Sequence, residues 1–315
     1  MSGATVESVK LAGMVEDGLG AVERAMLDVT DSEVAVLRDA SRHILGAGGK
    51  RIRPRLLLLS YLALGGRELE RAAKPAAAIE LMHTASVVHD DINDHGVLRR
   101  GLPSVNALWG RTFALLTGDF LFTAVYELMA PYHDLNIDLA KAATALVEGE
   151  TLQASAVKNN TFTREAYMRI IALKTAALFR AASTIGAKLA SAKETEIHAL
   201  ADFGYKLGLA FQIVDDILDM VADEDSLGKT SGLDILQGRG VATALHDANG
   251  NGNSSASDPL ASIRQKLMED DTIERARLEA GQLVDSAIAD LALLDDRPPK
   301  AALVELARQV VKREN

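Results

Sequence analysis

Two short stretches, Val88-His89-Asp90-Asp91-Ile92-Asn93-Asp94 and Val214-Asp215-Asp216-Ile217-Leu218-Asp219, constrain this chain more than any other part of it. Each sets carboxylates at i, i+1 and i+4. The second lies in a plainly apolar run, with Leu207 to Ile213 before it and Ile217, Leu218 and Met220 within and after it. On an α-helix the first and last acid of each set share a face, with the middle one about 100° around, so all three can reach one cavity. Like charges at i, i+4 destabilise a bare helix by about 0.2–0.5 kcal/mol per pair, and burying an isolated charge costs far more. A single acidic run is ordinarily a solvated face. Two at identical spacing argue for helices that turn their acids inward upon cations. Hard oxygen donors of this kind suit Mg²⁺, which usually bridges carboxylates to substrate phosphates.

The rest of the chain is periodic in the same helical sense. Segments near 5–29, 32–46, 51–65, 69–93, 104–130, 135–157, 164–190, 193–222, 260–291 and 299–313 carry apolar residues at three-to-four spacing, and no run alternates as a strand would. The expectation is an all-α protein, a single-domain helical bundle around a central cavity, spanning 1–315. Breaks fall at Gly46 to Gly49, Gly65-Gly66, Gly101 to Ser104, Pro131 and Lys158 to Thr161. Ser104 and Thr163 offer helix starts. Asn249 to Ser257 reads as a mobile surface loop.

Composition narrows the function. With 48% apolar residues in 315, a sizeable core is available, and a net charge of −10 argues against a general nucleic-acid binder. There is no Cys, which removes thiol catalysis and Cys-ligated metal and is compatible with a reducing cytoplasm. The N-terminus lacks the basic and apolar regions of a signal peptide. The longest apolar runs, such as Leu56 to Leu64, fall short of the roughly 20 residues of a spanning helix. A soluble cytoplasmic protein without a transmembrane segment is expected.

Basic residues cluster beside the acidic motifs. Gly48-Gly49-Lys50-Arg51-Ile52-Arg53-Pro54-Arg55 is a Gly-rich turn running into an apolar helix, which suits close approach to a phosphate; its bland alternative is a solvated helix start. Arg99-Arg100-Gly101 follows the first motif and Gly228-Lys229 the second. His83 lies two turns before Asp90 on one face, Gln212 three residues before Asp215, and Lys174-Thr175 interrupts an apolar run. Singly these read as a core histidine, a core amide and a snorkelling lysine; together with the acids they describe one polar cavity in a bundle. Two carboxylate clusters, several cations, apolar walls and no obvious nucleophile suit a metal-clamped diphosphate leaving group, shielded from water. Cations beyond those needed for one diphosphate imply a second, and hence condensation of two.

In these residues the chain resembles the trans-isoprenyl diphosphate synthases of the polyprenyl synthetase family. The likeness runs from about residue 40 to 313, through Gly48 to Pro54, His83 to Asp94 with Arg99-Arg100-Gly101, Gly118-Asp119-Phe120-Leu121, Gly149-Glu150, Lys174-Thr175, Phe211 to Asp219, Leu227-Gly228-Lys229 and Val310 to Arg313. It implies an all-α fold of isoprenoid synthase type, a homodimer, and head-to-tail addition of isopentenyl diphosphate to an allylic diphosphate. By matching position, Asp90, Asp91, Asp94, Asp215, Asp216 and Asp219 would address Mg²⁺, Lys50, Arg53, His83 and Arg100 would hold isopentenyl diphosphate, and Arg99, Lys174, Thr175, Gln212 and Lys229 the allylic diphosphate or its ionisation. The last proton would leave with the pyrophosphate.

The resemblance also turns product length into a packing question. The positions five and four before Asp90 are Ala85 and Ser86, both small, which favours hexaprenyl to decaprenyl products. Met82, Phe113, Leu116 or Phe120 could form a deeper floor and stop growth at geranylgeranyl. A very apolar product would imply transient membrane contact. After Lys229 the chain departs from the family, with Thr230-Ser231-Gly232-Leu233-Asp234 and Gln237 to Leu245 where a Pro and a Gly-Lys-x-Thr-x-Pro run are usual. A regulatory subunit of a heteromeric synthase, a terpene cyclase and a phosphohydrolase are the alternatives. The first predicts loss of one motif, the second has no need for Lys50 and Arg53, and the third none for a long apolar cavity.

Overall fold

A computed structural model describes residues 3–159, 161, 163–221 and 272–312. Its helices are α1 (Gly3–Val29), α2 (Ala35–Gly46), α3 (Ile52–Ala63), α4 (Leu69–Asn93), α5 (Val105–Met129), α6 (Leu135–Asn159), α7 (Arg164–Leu189), α8 (Glu194–Val221), α9 (Thr272–Asp290) and α10 (Pro298–Val311). The fold is all-α, and the helical segments read from periodicity are these, to within a few residues at most described ends. The segment near 260–291 begins outside the described residues. The expected capping residues hold: Ala107 N–H donates to Ser104 Oγ at 3.1 Å and Ala166 N–H to Thr163 Oγ1 at 3.2 Å.

From Leu56 to Ala63 helix α3 is buried on every side, so this stretch has no solvent face and sits inside the bundle. It packs on α1, α4, α7 and α10, while α4 packs on α1 and α5, and α8 on α7, α9 and α10. Helix α4 achieves its close packing with alanine: Ala72, Ala73, Ala76, Ala77, Ala78 and Ala85 are all buried. Pro75 lies inside it and cannot donate to the Arg71 carbonyl; the Tyr132 hydroxyl donates to that carbonyl instead, at 2.9 Å.

Three local features depart from the helical reading. Gly110 has φ 80°, ψ 165° and kinks α5 after its first turn. A two-residue antiparallel ribbon pairs Leu98 with Pro103 and Arg99 with Leu102, and its turn residues Arg100 (φ 53°) and Gly101 (φ 76°) both have the positive φ of a tight hairpin. Two residues are too few for alternation to register in sequence. Third, α7 contains a π-helical turn, Ala172–Ala176.

Two helical stretches, Val105–Tyr132 and Arg164–Leu189, are long and apolar enough to cross a membrane by length and composition. The most apolar part of the second is 72% buried within the bundle, as in a core helix; that of the first is only 44% buried.

Candidate active site

The site is assembled at the C-terminal end of α4, where the helix dipole already disfavours acids. Asp90 and Asp94 are half-buried, and the Asp94 backbone N–H closes the helix by donating to the Asp90 carbonyl at 2.8 Å. Asp91 points inward and is 2% exposed. Its Oδ1 accepts from Arg99 Nη2 at 2.5 Å and Nε at 3.1 Å, and its buried Oδ2 has no hydrogen-bond partner among the described residues. Burial pushes its pKa up, against the hydrogen bond and charge of Arg99.

The π-turn in α7 connects this motif to the second one. In it the chain is wider than an α-helix, and its two neighbours approach through glycines. A Cβ on Gly149 of α6 would lie 2.8 Å from the Lys174 backbone nitrogen, and one on Gly208 of α8 would lie 2.6 Å from the Ala176 Cα. From this turn Lys174 reaches Asp90 Oδ2 at 3.4 Å, Glu150 Oε1 at 2.7 Å and Gln153 Oε1 at 3.4 Å. Burial would lower the Lys174 pKa, but the charges of Asp90 and Glu150 outweigh it and raise it. Glu150 is pushed up to about 7, first by burial and then by the charge of Asp90, with Lys174 opposing.

Thr175, adjacent on the same turn, faces the other way. Its hydroxyl donates to Gln212 Oε1 at 2.7 Å, which fixes the amide so that Nε2 donates to Asp216 Oδ1 at 2.8 Å. The Tyr167 hydroxyl donates to Asp216 Oδ2 at 2.7 Å, so both oxygens of this buried carboxylate are engaged. Asp219 is buried as well, while Asp215 is half-buried. In each motif, then, the middle acid is turned inward and gripped by the protein. Among the described residues no three acidic or histidine side chains converge closely enough to hold a metal ion unaided.

The third part is cationic. Arg53 is buried, stacks 4.9 Å over the Phe179 ring, and has no hydrogen-bond partner for its Nε among the described residues. Burial lowers the pKa of both Arg53 and Arg100, and Glu80 is the largest opposing influence on each. His83 is half-buried; burial, reinforced by Arg53, Arg100, Arg99 and Arg51, holds it well below the ordinary imidazole range, so it is neutral. Lys50 is exposed on the turn before α3. Lys229, the departure at 230–245 and the 249–257 loop lie outside the described residues.

Of the positions read for product length, Ala85 and Met82 are buried in α4 and the Ser86 hydroxyl donates to the His83 carbonyl at 2.8 Å. Phe113 and Leu116 lie on the exposed side of α5, which leaves buried Met82 and half-buried Phe120 as the inner members of the proposed deeper floor. Four residues of the site carried no assigned role in the sequence reading: Tyr167, Glu150, Gln153 and Glu80. Tyr167 looks like any core aromatic, whereas Glu80, a lone acid in the run Ala76 to Met82, was a legible signal.

With this geometry in place, the similarity to known proteins becomes specific. Residues 34–279 match the family described as polyprenyl synthetase. The chain belongs to that family. It is 39% identical over 312 residues to the short chain isoprenyl diphosphate synthase of Methanothermobacter thermautotrophicus, covering 93% of this chain and 95% of that one. It is 34% identical over 319 residues to the octaprenyl diphosphate synthase of Escherichia coli, covering 97% and 98%. A polyprenyl synthase from Caulobacter crescentus, solved in complex with calcium and isoprenyl diphosphate, superposes with a TM-score of 0.91 at 32% identity, over 100% of this chain and 99% of that one. This polyprenyl synthetase family member is a prenyltransferase, and its relatives range from geranylgeranyl to octaprenyl and decaprenyl synthases.

Proposed function

We propose that the protein is a trans-polyprenyl diphosphate synthase that condenses isopentenyl diphosphate head-to-tail with an allylic diphosphate (geranyl, farnesyl or geranylgeranyl), acting as one domain and as a homodimer in the cytoplasm. The observation that carries the reading is the π-turn: adjacent residues Lys174 and Thr175 join the first aspartate motif to the second, while a separate cationic group stands beside them. Two anion sites side by side are what a condensation of two diphosphates requires.

Mg²⁺ is the metal of this reading, and the donors suit it. They are hard carboxylate oxygens, no three of which form a cage among the described residues. That fits an ion bound through one or two carboxylates and completed by substrate phosphates. Asp90, Asp91, Asp94, Asp215, Asp216 and Asp219 would hold such ions, the inward-turned Asp91 and Asp216 also fixing their helices from within. When bound, they neutralise charge developing on the leaving diphosphate. The protein's own share is orientation and shielding. Lys174 presents a cation to the same oxygens, Thr175 and Gln212 set the second motif, and Arg53, whose buried Nε is orphaned, with Lys50, Arg100 and neutral His83 holds the second diphosphate. The apolar walls exclude water from the allylic cation.

Small residues at Ala85 and Ser86 support hexaprenyl to decaprenyl products; the interior Met82 supports the shorter geranylgeranyl alternative. Both aspartate motifs are intact, which disfavours a regulatory subunit. The test is a Mg²⁺-dependent assay with labelled isopentenyl diphosphate and farnesyl diphosphate, products resolved by length, with Asp90→Ala as control. A prenyl ladder passing geranylgeranyl is expected. A stop there keeps the reaction and moves the floor to Met82; no incorporation by folded protein overturns the reading.

A further inference from the structure

The turn between α2 and α3 is held in an unusual backbone. Gly48 and Gly49 have φ 71° and 147°, and Arg51, a residue with a side chain, has φ 44°, ψ 41° in the left-handed region. Non-glycine residues persist there only when their surroundings over-determine them. The surroundings of Arg51 do. Its buried guanidinium donates from Nη1 to Glu80 Oε1 at 3.0 Å and from Nη2 to the Leu45 carbonyl at 2.9 Å, and its Nε lies 3.6 Å from Glu23 Oε1. One side chain therefore ties the turn to α1, α2 and α4.

Glu80 is the deep end of this pair, with 4% of its side chain exposed and Oε2 without a hydrogen-bond partner among the described residues. It stands one turn before His83 on α4. The Arg100 guanidinium, in turn, packs so closely over Gly49 that a Cβ there would overlap it. Each member of the cationic group is thus one step from the pair: Lys50 precedes Arg51, Arg53 follows it by two, His83 follows Glu80 by three, and Arg100 rests on the turn. A carboxylate at the base of several guanidiniums also relieves their mutual repulsion when no diphosphate is present.

We propose that Arg51 and Glu80 are positioning residues for the isopentenyl diphosphate subsite: they touch no substrate, but lock the Gly48–Arg51 turn and supply the counter-charge that keeps Arg53 and Arg100 in place. The proposal rests on the synthase reading, so wild-type enzyme is assayed first; failure of wild type to incorporate isopentenyl diphosphate strikes that reading and not this pair.

The experiment compares wild type, Glu80→Gln and the double variant Arg51→Met/Glu80→Leu, measuring KM for isopentenyl diphosphate and for farnesyl diphosphate separately, kcat, and the thermal unfolding midpoint. A buried ion pair replaced by apolar side chains of similar size generally folds well, whereas removing one partner strands the other. The double variant is therefore expected to unfold near the wild-type midpoint while its KM for isopentenyl diphosphate rises by about tenfold or more and that for farnesyl diphosphate stays within about twofold. Glu80→Gln shows the same split with a lower midpoint. If Glu80→Gln does not fold, the double variant decides. A folded double variant with wild-type KM for isopentenyl diphosphate, or with both KM values raised alike, overturns the proposal, as does a double variant that cannot fold, which would make the pair structural.

Discussion

Asp216 accepts side-chain hydrogen bonds from Tyr167 and Gln212, and the one from Tyr167 is the easier to remove without disturbing packing. Tyr167→Phe keeps the ring and deletes only the hydroxyl. Hydrogen bonds to charged groups contribute about 1.5–3 kcal/mol, so urea denaturation of the variant is expected to show a loss of that order. An unchanged midpoint would mean that water substitutes for the phenol. Glu150 gives a pH-dependent counterpart. Its folded pKa of about 7 stands above the unfolded value of 4.5, so the folded state binds the extra proton between these limits. The associated stability is therefore fully present below 4.5 and is lost as pH rises through 7. In metal-free buffer Glu150→Gln is expected to flatten the stability profile between these values relative to wild type. Equal slopes for the two proteins would show that other groups set that titration. Neither contact was visible in the sequence, because the partners stand 49 residues apart for Tyr167 and Asp216 and on different helices for Glu150 and Lys174.

Among the elements, α7 shows where periodicity stops being informative. Its beginning, end and buried face follow from Thr163 and the spacing of Tyr167, Ile170, Ile171, Leu178 and Phe179, and so were legible. The π-turn was not, since one extra residue in a helix leaves a polar pair looking like an interruption of an apolar run. What fixes it lies on α6 and α8, at Gly149 and Gly208. Gly149→Ala tests this. In an ordinary helix interior the change stabilises by up to about 1 kcal/mol. Here the new Cβ would stand 2.8 Å from the Lys174 nitrogen, and overpacking of this kind costs about 1–3 kcal/mol. Net destabilisation is expected, with kcat falling by about a hundredfold, the scale of a 1 Å misplacement, because Lys174 moves off Asp90. A stabilised, fully active variant would show that α6 does not set the turn. The same limit on local pattern explains the Gly110 kink and the Arg99 ribbon: each depends on what α5 and α4 must meet, not on its own few residues.

At the scale of the whole molecule, α5 is the element whose composition and burial disagree. Val105–Tyr132 and Arg164–Leu189 are similarly apolar, yet the most apolar part of the first is 44% buried and that of the second 72%. Phe113, Leu115, Leu116 and Tyr126 stand exposed on α5, with Ile137 and Val147 exposed on the following helix. Exposed apolar side chains gathered on one helix mark a contact site when they form a patch, and a two-fold pairing would cover the same face on both partners at once. The homodimer proposed above is expected to use it. Leu116→Glu would set two like charges into such an interface, so sedimentation velocity should show single chains where wild type shows pairs. Arg53, His83 and Arg100 lie on α3, α4 and the ribbon after it, away from the exposed side of α5, so the separated variant should still bind isopentenyl diphosphate by calorimetry, with any loss of turnover traceable to α5 and α4, which pack together. A variant that remains paired would place the interface elsewhere and leave the apolar face of α5 to meet a membrane surface or another protein.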